Sequence, residues 1–374
     1  MGAVGFGVFS ARGEPPRVGF RVAGGVLDLA ANGLGQDFAA QSLNRFLALG
    51  RPVWEDVIAR VEELVRAGAD LVPLEEATVH LPFEVADYVD FYSSLEHATN
   101  LGRIFRPDAD PLLPNWRHLP VGYHGRAGTV VVSGTPVVRP CGQAKAPDDP
   151  APGFGPSKRL DFELELGFVV GVPSGLGSPV HATAFRDHVF GVVLVNDWSA
   201  RDIQAWEYQP LGPFLGKSFA TSISAWVTPL ALLEERLVPG PPQEPEPLPY
   251  LRAPGDWALD VELEVELSGT VVSRTNARGL YWTMPQQLAH ATVNGASLRT
   301  GDLLASGTIS GPDPGSEGSL IELTWNGAHP IRLGDGSTRA FLEDGDEVVL
   351  RGRAGDVELG EVRGTVLPPT RRRG

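Results

Sequence analysis

The residue types with the most chemistry lie between residues 90 and 126. Asp90-Phe-Tyr-Ser-Ser and His97-Ala-Thr-Asn are followed there by the run Leu113-Pro-Asn-Trp-Arg-His-Leu-Pro-Val-Gly-Tyr-His-Gly-Arg126. Carboxylates, phenols, imidazoles and guanidiniums are the groups with which enzymes bind anions and transfer protons. Packing alone does not account for such a density, so the segment predicts a functional site.

Two glutamates further along the chain share one face of a strand-like run. Glu163 and Glu165 are two residues apart, so both side chains project to the same side, whereas Phe162, Leu164 and Leu166 project to the other. Like charges side by side repel each other unless a cation lies between them. The pair therefore indicates a cation site.

Asp90 and Asp197 extend this set of carboxylates. Asp197 ends an apolar run over 189–196, and a short helix is expected to start at Ser199, which places Asp197 at a strand-to-helix junction. Four carboxylates without cysteine or paired histidine offer hard oxygen ligands, which favours Mg²⁺ or Ca²⁺ over zinc or copper. Spacing alone leaves an alternative open: the glutamates line a solvated strand face and Asp197 caps a helix.

Histidine has the ordinary pKa that suits a general base near pH 7. Among the eight histidines of the chain, His97, His118 and His124 lie in the polar segment. Each of them could equally be a structural histidine with satisfied hydrogen bonds. Glu322 lies in the apolar run over 318–324, interpreted here as a strand, and a buried carboxylate requires a partner.

Arg201, Gln204 and Tyr208 are spaced three and four residues apart. A helix would place at least Arg201 and Gln204 on one face, and Pro210 limits its length. A guanidinium and an amide together suit a developing oxyanion or a carboxylate. The alternative is a polar surface face without a ligand.

Several classes of protein are disfavoured. Residues 212–218 resemble a phosphate-binding loop, but only three residues separate the glycines and Pro213 has no N–H, so nucleotide binding is rejected. A Gly-x-Ser-x-Gly elbow is missing from the sequence and Cys141 has no base close to it in sequence, which disfavours a covalent serine or cysteine hydrolase.

Composition restricts the partners and the compartment. The 374 residues carry a formal net charge of −15, which opposes binding to nucleic acid or anionic membrane. The one basic run, residues 371–373, is expected to be solvated. A single cysteine excludes an internal disulfide or a cysteine-based metal site, and neither a secretory signal nor a run of about 20 apolar residues is present. We expect a soluble, cytoplasmic protein.

Patterning predicts a mainly β protein with a minor α+β component. Residues 1–85 begin with strand-like runs over 4–10 and 18–29, the second broken by Gly24-Gly25, and a helix starting at Pro52 and ending at Gly68 follows. From about residue 88 strands dominate, at 130–132, 160–170, 189–195, 259–267, 318–324 and 347–351. Residues 239–255, with seven prolines, are interpreted as a surface excursion rather than a linker.

Together with Glu163-Leu-Glu165, Asn196-Asp197-Trp-Ser-Ala-Arg201-Asp-Ile-Gln204 and Pro213-Phe-Leu-Gly-Lys217-Ser, the polar segment resembles the fumarylacetoacetase family over the whole chain. The resemblance implies a small N-terminal SH3-like β-barrel domain (1–85) and a larger catalytic domain of mixed β-sandwich/β-roll type (86–374). It also implies a homodimer.

The resemblance implies a role for each candidate residue. His97 is the base, oriented by Glu322, and Arg201, Gln204 and Lys217 stabilise the oxyanion and the leaving group. Contacts to the substrate's acid ends and oxygens come from Tyr92, Arg106, Tyr208 and Thr308. The metal ligands are Asp90, Glu163, Glu165 and Asp197, while Lys217, through its backbone oxygen, and Thr221 help to hold a second, structural cation.

The implied reaction is metal-dependent hydrolysis of the carbon-carbon bond of 4-fumarylacetoacetate to fumarate and acetoacetate, in tyrosine and phenylalanine breakdown, with Mg²⁺ and/or Ca²⁺ as cofactor. The rival within the fold is another metal-dependent reaction, such as isomerisation, acylpyruvate hydrolysis or oxaloacetate decarboxylation. The rival from another class is a non-catalytic scaffold stabilised by metal.

Overall fold

The computed structural model describes residues 2–11 and 13–370, and the basic run at 371–373 lies outside them. Strands dominate this part of the chain. In chain order they are β1 (Ala3–Ala11), β2 (Arg17–Val22), β3 (Gly25–Asp28), β4 (Ala77–His80), β5 (Tyr88–Phe91), β6 (Gly122–His124), β7 (Val130–Val132), β8 (Val137–Val138), β9 (Cys141–Ala144), β10 (Gly153–Pro156), β11 (Leu160–Asp161), β12 (Leu164–Val170), β13 (Val189–Asp197), β14 (Ser199–Ala200), β15 (Thr221–Ile223), β16 (Trp226–Pro229), β17 (Leu237–Val238), β18 (Ala258–Leu259), β19 (Glu262–Leu267), β20 (Thr270–Asn276), β21 (Leu303–Ala305), β22 (Ile331–Arg332), β23 (Thr338–Arg339), β24 (Glu347–Ala354) and β25 (Val357–Leu367).

The helices are few and mostly short. The α-helices are α1 (Asn44–Leu47), α2 (Arg51–Arg66), α3 (Leu95–Phe105), α4 (Phe185–His188), α5 (Arg201–Glu207), α6 (Met284–Thr292) and α7 (Leu320–Leu323). Turns of 3₁₀-helix lie at Gln36–Ala39, Leu74–Glu76, Ala127–Thr129, Ala182–Ala184, Leu230–Arg236, Pro249–Leu251 and Ala277–Gly279. Within the described ranges, none of the helices has the length and apolar character required to span a bilayer.

One large mixed sheet contains strands from both of the predicted domains, 1–85 and 86–374. Its main path runs β3-β2-β1-β16-β13-β12-β21-β5-β6, so the N-terminal strand β1 pairs directly with β16 of the later chain. The mainly β fold is therefore confirmed. The SH3-like barrel is not established by this topology, because β1 to β4 belong to a sheet whose remaining strands all lie beyond residue 85.

Apolar and acidic side chains point to opposite sides at the start of β12 and just before it. Phe162, Leu164 and Leu166 pack in the largest core cluster, together with residues of a second sheet ordered β20-β19-β24-β25-β8. Because side chains alternate along a strand, Glu163 and Glu165 are directed to the other side. The predicted alternation at this position is confirmed.

Other local predictions fare differently. The amphipathic helix is confirmed as α2, where Val57 and Val61 are buried, and the strands flanking the 239–255 excursion, β17 and β18, pair with each other. The strand predicted at 318–324 is wrong: Glu322 lies in the short helix α7, and its neighbours Leu320 and Ile321 are still buried, which explains the strand-like pattern. The helix expected at Ser199 begins at Arg201 instead, because Ser199 pairs with Asp161.

Candidate active site

Three buried carboxylates converge at one end of the large sheet. Asp90 on β5, Glu165 on β12 and Asp197 at the end of β13 each place a carboxylate oxygen within 4.8 Å of the others. They are spread over more than a hundred residues of sequence and meet because β13, β12, β21 and β5 are neighbours in the sheet. The three strands therefore bring three buried acidic groups to one point of the interior.

Protein groups alone leave this cluster incompletely compensated. Burial, and then repulsion by Asp90 and Asp197, raises the pKa of Glu165 well above its ordinary value, and burial with repulsion by Asp90 does the same for Asp197. Burial also raises the pKa of Asp90, although Lys217 opposes the shift. Oδ1 of Asp90 and Oε1 of Glu165 have no hydrogen-bond partner among the described residues. Unpaired buried carboxylate oxygens are the donor set that a hard divalent cation fits.

Glu163 lies beside the cluster but binds cationic side chains. Arg201 donates from Nη2 to Oε1 at 2.7 Å, and Ser199 donates its hydroxyl to Oε2 at 3.0 Å. The Lys217 ammonium is also in contact with Oε2. Of the four predicted metal ligands, the structure thus brings three together in one cluster and places the fourth against an arginine and a lysine.

Lys217 connects Glu163 with Asp197 of the three-carboxylate cluster. Its Nζ donates to Asp197 Oδ2 at 2.7 Å as well as to Glu163. Burial lowers the pKa of Lys217 to about 8, although Asp90 and Asp161 oppose the shift. Thr221 donates its hydroxyl to Asp197 Oδ1 at 3.0 Å. The second cation predicted at Lys217 and Thr221 stays a prediction.

His97 and Glu322 form a buried pair at the edge of the cluster. Helix α3 begins after Ser94, whose hydroxyl accepts the His97 N–H, and this places His97 in the first turn. Its Nδ1 lies 2.6 Å from Glu322 Oε2, and its Nε2 lies 3.6 Å from Glu163 Oε1. The other two candidates, His118 and His124, are exposed. Of the three, only His97 therefore adjoins the carboxylates.

Glu322 is held by more partners than the sequence indicated. Asn100 donates from Nδ2 to Oε1 at 3.0 Å, and the hydroxyls of Ser310 and Ser319 donate to Oε2 at 3.0 and 2.6 Å. Burial opposes ionisation, but the charge of His97 and these hydrogen bonds lower the pKa of Glu322. The group is therefore an anion that orients the imidazole.

A cavity of about 370 Å³ opens over these groups. Its lining includes the predicted base, the predicted oxyanion stabilisers and the predicted substrate contacts: His97, Arg201, Gln204, Lys217, Tyr92, Arg106, Tyr208 and Thr308. Arg106 donates from Nη2 to the Pro111 carbonyl, while its Nε and the Thr308 hydroxyl are buried without a partner in the described part of the chain. These polar atoms are available to a ligand. A larger groove of about 890 Å³, beside β19, β20 and β24, contains none of the clustered carboxylates.

Besides the serines that bind Glu163 and Glu322, three more residues at the site were not predicted as site residues. Tyr123 donates its hydroxyl to Asp197 Oδ2 at 2.9 Å, Asn100 supports Glu322, and Asp161 binds Arg201. Tyr123 belongs to the polar segment and could have been proposed from it. Asn100 lies one helical turn after His97, whereas nothing in the sequence singles out Asp161.

Comparison with known families shows where this arrangement belongs. Residues 87–367 match the model described as fumarylacetoacetate (FAA) hydrolase C-terminal, and residues 4–82 match fumarylacetoacetase N-terminal. The chain belongs to the fumarylacetoacetate hydrolase family. The first of these matches alone covers more than half of the chain.

Curated members of this family are similar over nearly the whole chain. The fumarylacetoacetase of Homo sapiens is 48% identical over 396 residues, which is 97% of this chain and 94% of that protein. The fumarylacetoacetase of Caenorhabditis elegans is 48% identical over 97% of this chain and 95% of its own length, and that of Arabidopsis thaliana 43% identical over 97% and 94%.

Solved structures show that the fold is shared more widely than the sequence. A fumarylacetoacetate hydrolase from Exiguobacterium antarcticum superposes with a TM-score of 0.57 at 15% identity, over 97% of this chain and 99% of its own. A maleylpyruvate hydrolase from Sphingobium sp. SYK-6 gives 0.57 at 15% identity over 98% and 100%. At such identities the likeness concerns the fold of the family alone.

Proposed function

We propose that the protein hydrolyses the carbon-carbon bond of 4-fumarylacetoacetate to fumarate and acetoacetate, in tyrosine and phenylalanine breakdown. The observation that carries the proposal is the His97–Glu322 pair at the edge of a cavity that also contains three converging carboxylates. Identity of 43–49% to curated fumarylacetoacetases over most of the chain supports this substrate.

His97 acts as the general base. Because Glu322 is ionised and engages Nδ1, the imidazole proton resides on Nδ1 and Nε2 is left to accept the proton of a water molecule. The water oxygen forms a bond to the carbonyl carbon of the fumaroyl group, which becomes the new carboxyl carbon of fumarate. When the carbon-carbon bond breaks, its electron pair passes to the acetoacetate carbon, which His97 then protonates.

Arg201, Gln204 and Lys217 stabilise the negative charge that develops during the attack. Arg201 Nη1 lies 3.3 Å from Gln204 Oε1, so the guanidinium and the amide act as one unit at the cavity wall. Preorganised donors of this kind cost little to reorganise, and losing one typically lowers the rate by about 10²–10³. Tyr92, Arg106, Tyr208 and Thr308 bind the acid ends and oxygens of the substrate.

Asp90, Glu165 and Asp197, with Glu163 beside them, would hold the divalent cation, for which their hard oxygen donors favour Mg²⁺ or Ca²⁺. When bound, that ion supplies a Lewis acid that polarises the substrate's carbonyl oxygens. The protein's own part is to hold these four carboxylates in place.

Three further expectations belong to the same proposal. The protein is cytoplasmic and forms a homodimer. Residues 1–85 and 86–374 form its two domains. The rival reactions within the fold and the non-catalytic scaffold are not favoured, because the base, its carboxylate partner and the polar cavity occur together.

The test is the loss of the diketone absorbance of fumarylacetoacetate on adding purified protein, with fumarate assayed as product. Rapid loss, stoichiometric fumarate and abolition by EDTA that added Mg²⁺ or Ca²⁺ reverses are expected. Absence of turnover with either ion present contradicts the proposal, and oxaloacetate and acylpyruvates then become the substrates to assay.

A further inference from the structure

Asp161 is a fully buried carboxylate behind the cavity. It forms the strand β11 with Leu160 and pairs with Ser199 of β14, just before helix α5. Asp161 does not line the cavity, whose nearest wall is formed by Glu163 and Arg201. A direct contact with substrate is therefore not its role.

Two separate parts of the site are bound by this one carboxylate. Arg201 donates from Nε to Oδ2 at 2.8 Å. The backbone N–H groups of Leu320 and Ile321 donate to Oδ1 at 2.7 Å and to Oδ2 at 3.2 Å. Leu320 and Ile321 are the first residues of α7, which carries Glu322. Asp161 thus fixes the distance between Arg201 and helix α7, which carries Glu322.

The contacts close into a ring around the reacting groups. From Arg201 the ring continues through Nη2 to Glu163, and from Glu163 Oε1 across 3.6 Å to His97 Nε2. His97 Nδ1 then meets Glu322, and α7 leads back to Asp161. A shift of α7 moves Glu322 relative to the imidazole, and a shift of Arg201 moves the donor that faces the cavity.

We propose that Asp161 is a positioning residue that keeps Arg201 and the His97–Glu322 pair in register. The kinetic part of this inference rests on the proposed function; the geometric part does not. A misplacement of about 1 Å in a catalytic group can cost about 10²-fold in rate, so a residue without substrate contact can still control kcat.

Asp161→Asn is the sharpest perturbation because it keeps the size and changes the donors. If the amide nitrogen replaces Oδ2, the bonds from Arg201 and Ile321 are lost, and if it replaces Oδ1, the bond from Leu320 is lost. Each orientation removes at least one of the three bonds, together with the charge. Asp161→Glu is the second variant: it retains the charge but moves the carboxylate by one methylene, and it carries the test if the asparagine variant does not fold.

Asp346, immediately before β24 of the second sheet, provides a matched control. It is buried, accepts from Arg339 Nε at 2.9 Å and from the Glu343 N–H at 2.8 Å, and lies away from the cavity. Asp346→Asn therefore removes a buried carboxylate with the same kinds of partner. A loss of activity that the Asp161→Asn and Asp346→Asn variants share therefore reflects reduced stability alone.

The experiment combines kinetics with proton NMR of the His97 Nδ1–H, which a short bond to a carboxylate moves far downfield. In Asp161→Asn and Asp161→Glu we expect kcat to fall about 10–100-fold with KM changed less than about threefold, and the downfield signal to shift or broaden. Asp346→Asn should leave kcat and the signal as in the parent.

An unchanged downfield signal in the folded Asp161 variants overturns the inference, as does the same kinetic loss in Asp346→Asn. The signal requires no turnover, so it decides the geometric claim even if fumarylacetoacetate is not the substrate. A double variant with Glu322→Gln adds a check: losses well below the product of the single effects support action through the pair, and fully multiplicative losses contradict it.

Discussion

Glu165 and Glu322 are both buried glutamates of one site, and the protein surrounds them in opposite ways. Glu322 accepts hydrogen bonds from His97, Asn100, Ser310 and Ser319, and its pKa is lowered despite burial. Oε1 of Glu165 has no hydrogen-bond partner within the described ranges, and burial with repulsion by Asp90 and Asp197 raises its pKa. We therefore expect protein groups to complete the proposed base, and a cation to complete the carboxylate cluster.

The first way to break this comparison is to remove the base. His97→Ala should lower kcat by about 10²–10⁴-fold because general base catalysis typically contributes that much. His118→Ala is the control, since His118 comes from the same segment but is exposed. Steady-state kinetics and melting temperatures of both variants test the assignment. Equal activity in the two variants would contradict it. Loss of the cooperative thermal transition in His97→Ala would show that His97 is required for folding.

The second prediction concerns opposite changes in stability. In protein stripped of metal, Glu165→Gln should raise the melting temperature, because it removes a buried charge that lacks compensation. Glu322→Gln should lower the free energy of unfolding by about 1–3 kcal/mol, because hydrogen bonds to a charged acceptor are lost. Thermal melts in EDTA measure both, and changes of the same sign would remove the distinction between the two glutamates.

A smaller effect is expected from the support of Asp197. Tyr123→Phe removes the hydroxyl that donates to Oδ2 at 2.9 Å and leaves the ring in place. Outer partners of ligating carboxylates typically change metal affinity by about 10–100-fold, so the lower end of that range is expected for divalent cation binding. Calorimetry would measure it, and an affinity equal to the parent's would show that Tyr123 does not orient Asp197.

The smallest effect involves Asp302, a buried carboxylate away from the cluster. Burial raises its pKa from the ordinary 3.8 to about 6, although the Arg299 N–H and guanidinium oppose the shift. The folded protein therefore holds this proton more tightly than the unfolded chain, so its contribution to stability is complete below about pH 4 and is lost as the pH rises through 6.

Asp302→Asn should flatten this part of the pH dependence. Between pH 4 and 6 the melting temperature of the parent should fall relative to that of the variant, and above pH 7 the offset should become constant. A constant offset over the whole range would show that Asp302 does not titrate there.

Sequence patterns could predict the fold class and most of the site for identifiable reasons. Alternation at the start of β12 and just before it directs Glu163 and Glu165 away from the apolar cluster, and α2 has the apolar spacing of a helix, so both were predictable. Helix α7 was not, because a helix of four residues is too short to distinguish a helical from a strand period.

Long-range contacts explain the remaining differences. Glu163 and Glu165 share a strand face, yet Arg201 and Lys217 bind one while Asp90 and Asp197 face the other. Sequence spacing does not contain these pairings, because they depend on which strands become neighbours. Asp161 is the strongest case, since its partners lie 40 and 159 residues further along the chain.

The most direct measurement is calorimetric titration of Mg²⁺ and of Ca²⁺ into metal-free parent, Glu165→Gln and Glu322→Gln. We predict saturable binding of at least one ion in the parent, retained in Glu322→Gln and lost or weakened at least tenfold in Glu165→Gln. Binding that survives Glu165→Gln unchanged, or that Glu322→Gln abolishes in a folded protein, would contradict the division between a cation-completed cluster and a protein-completed base.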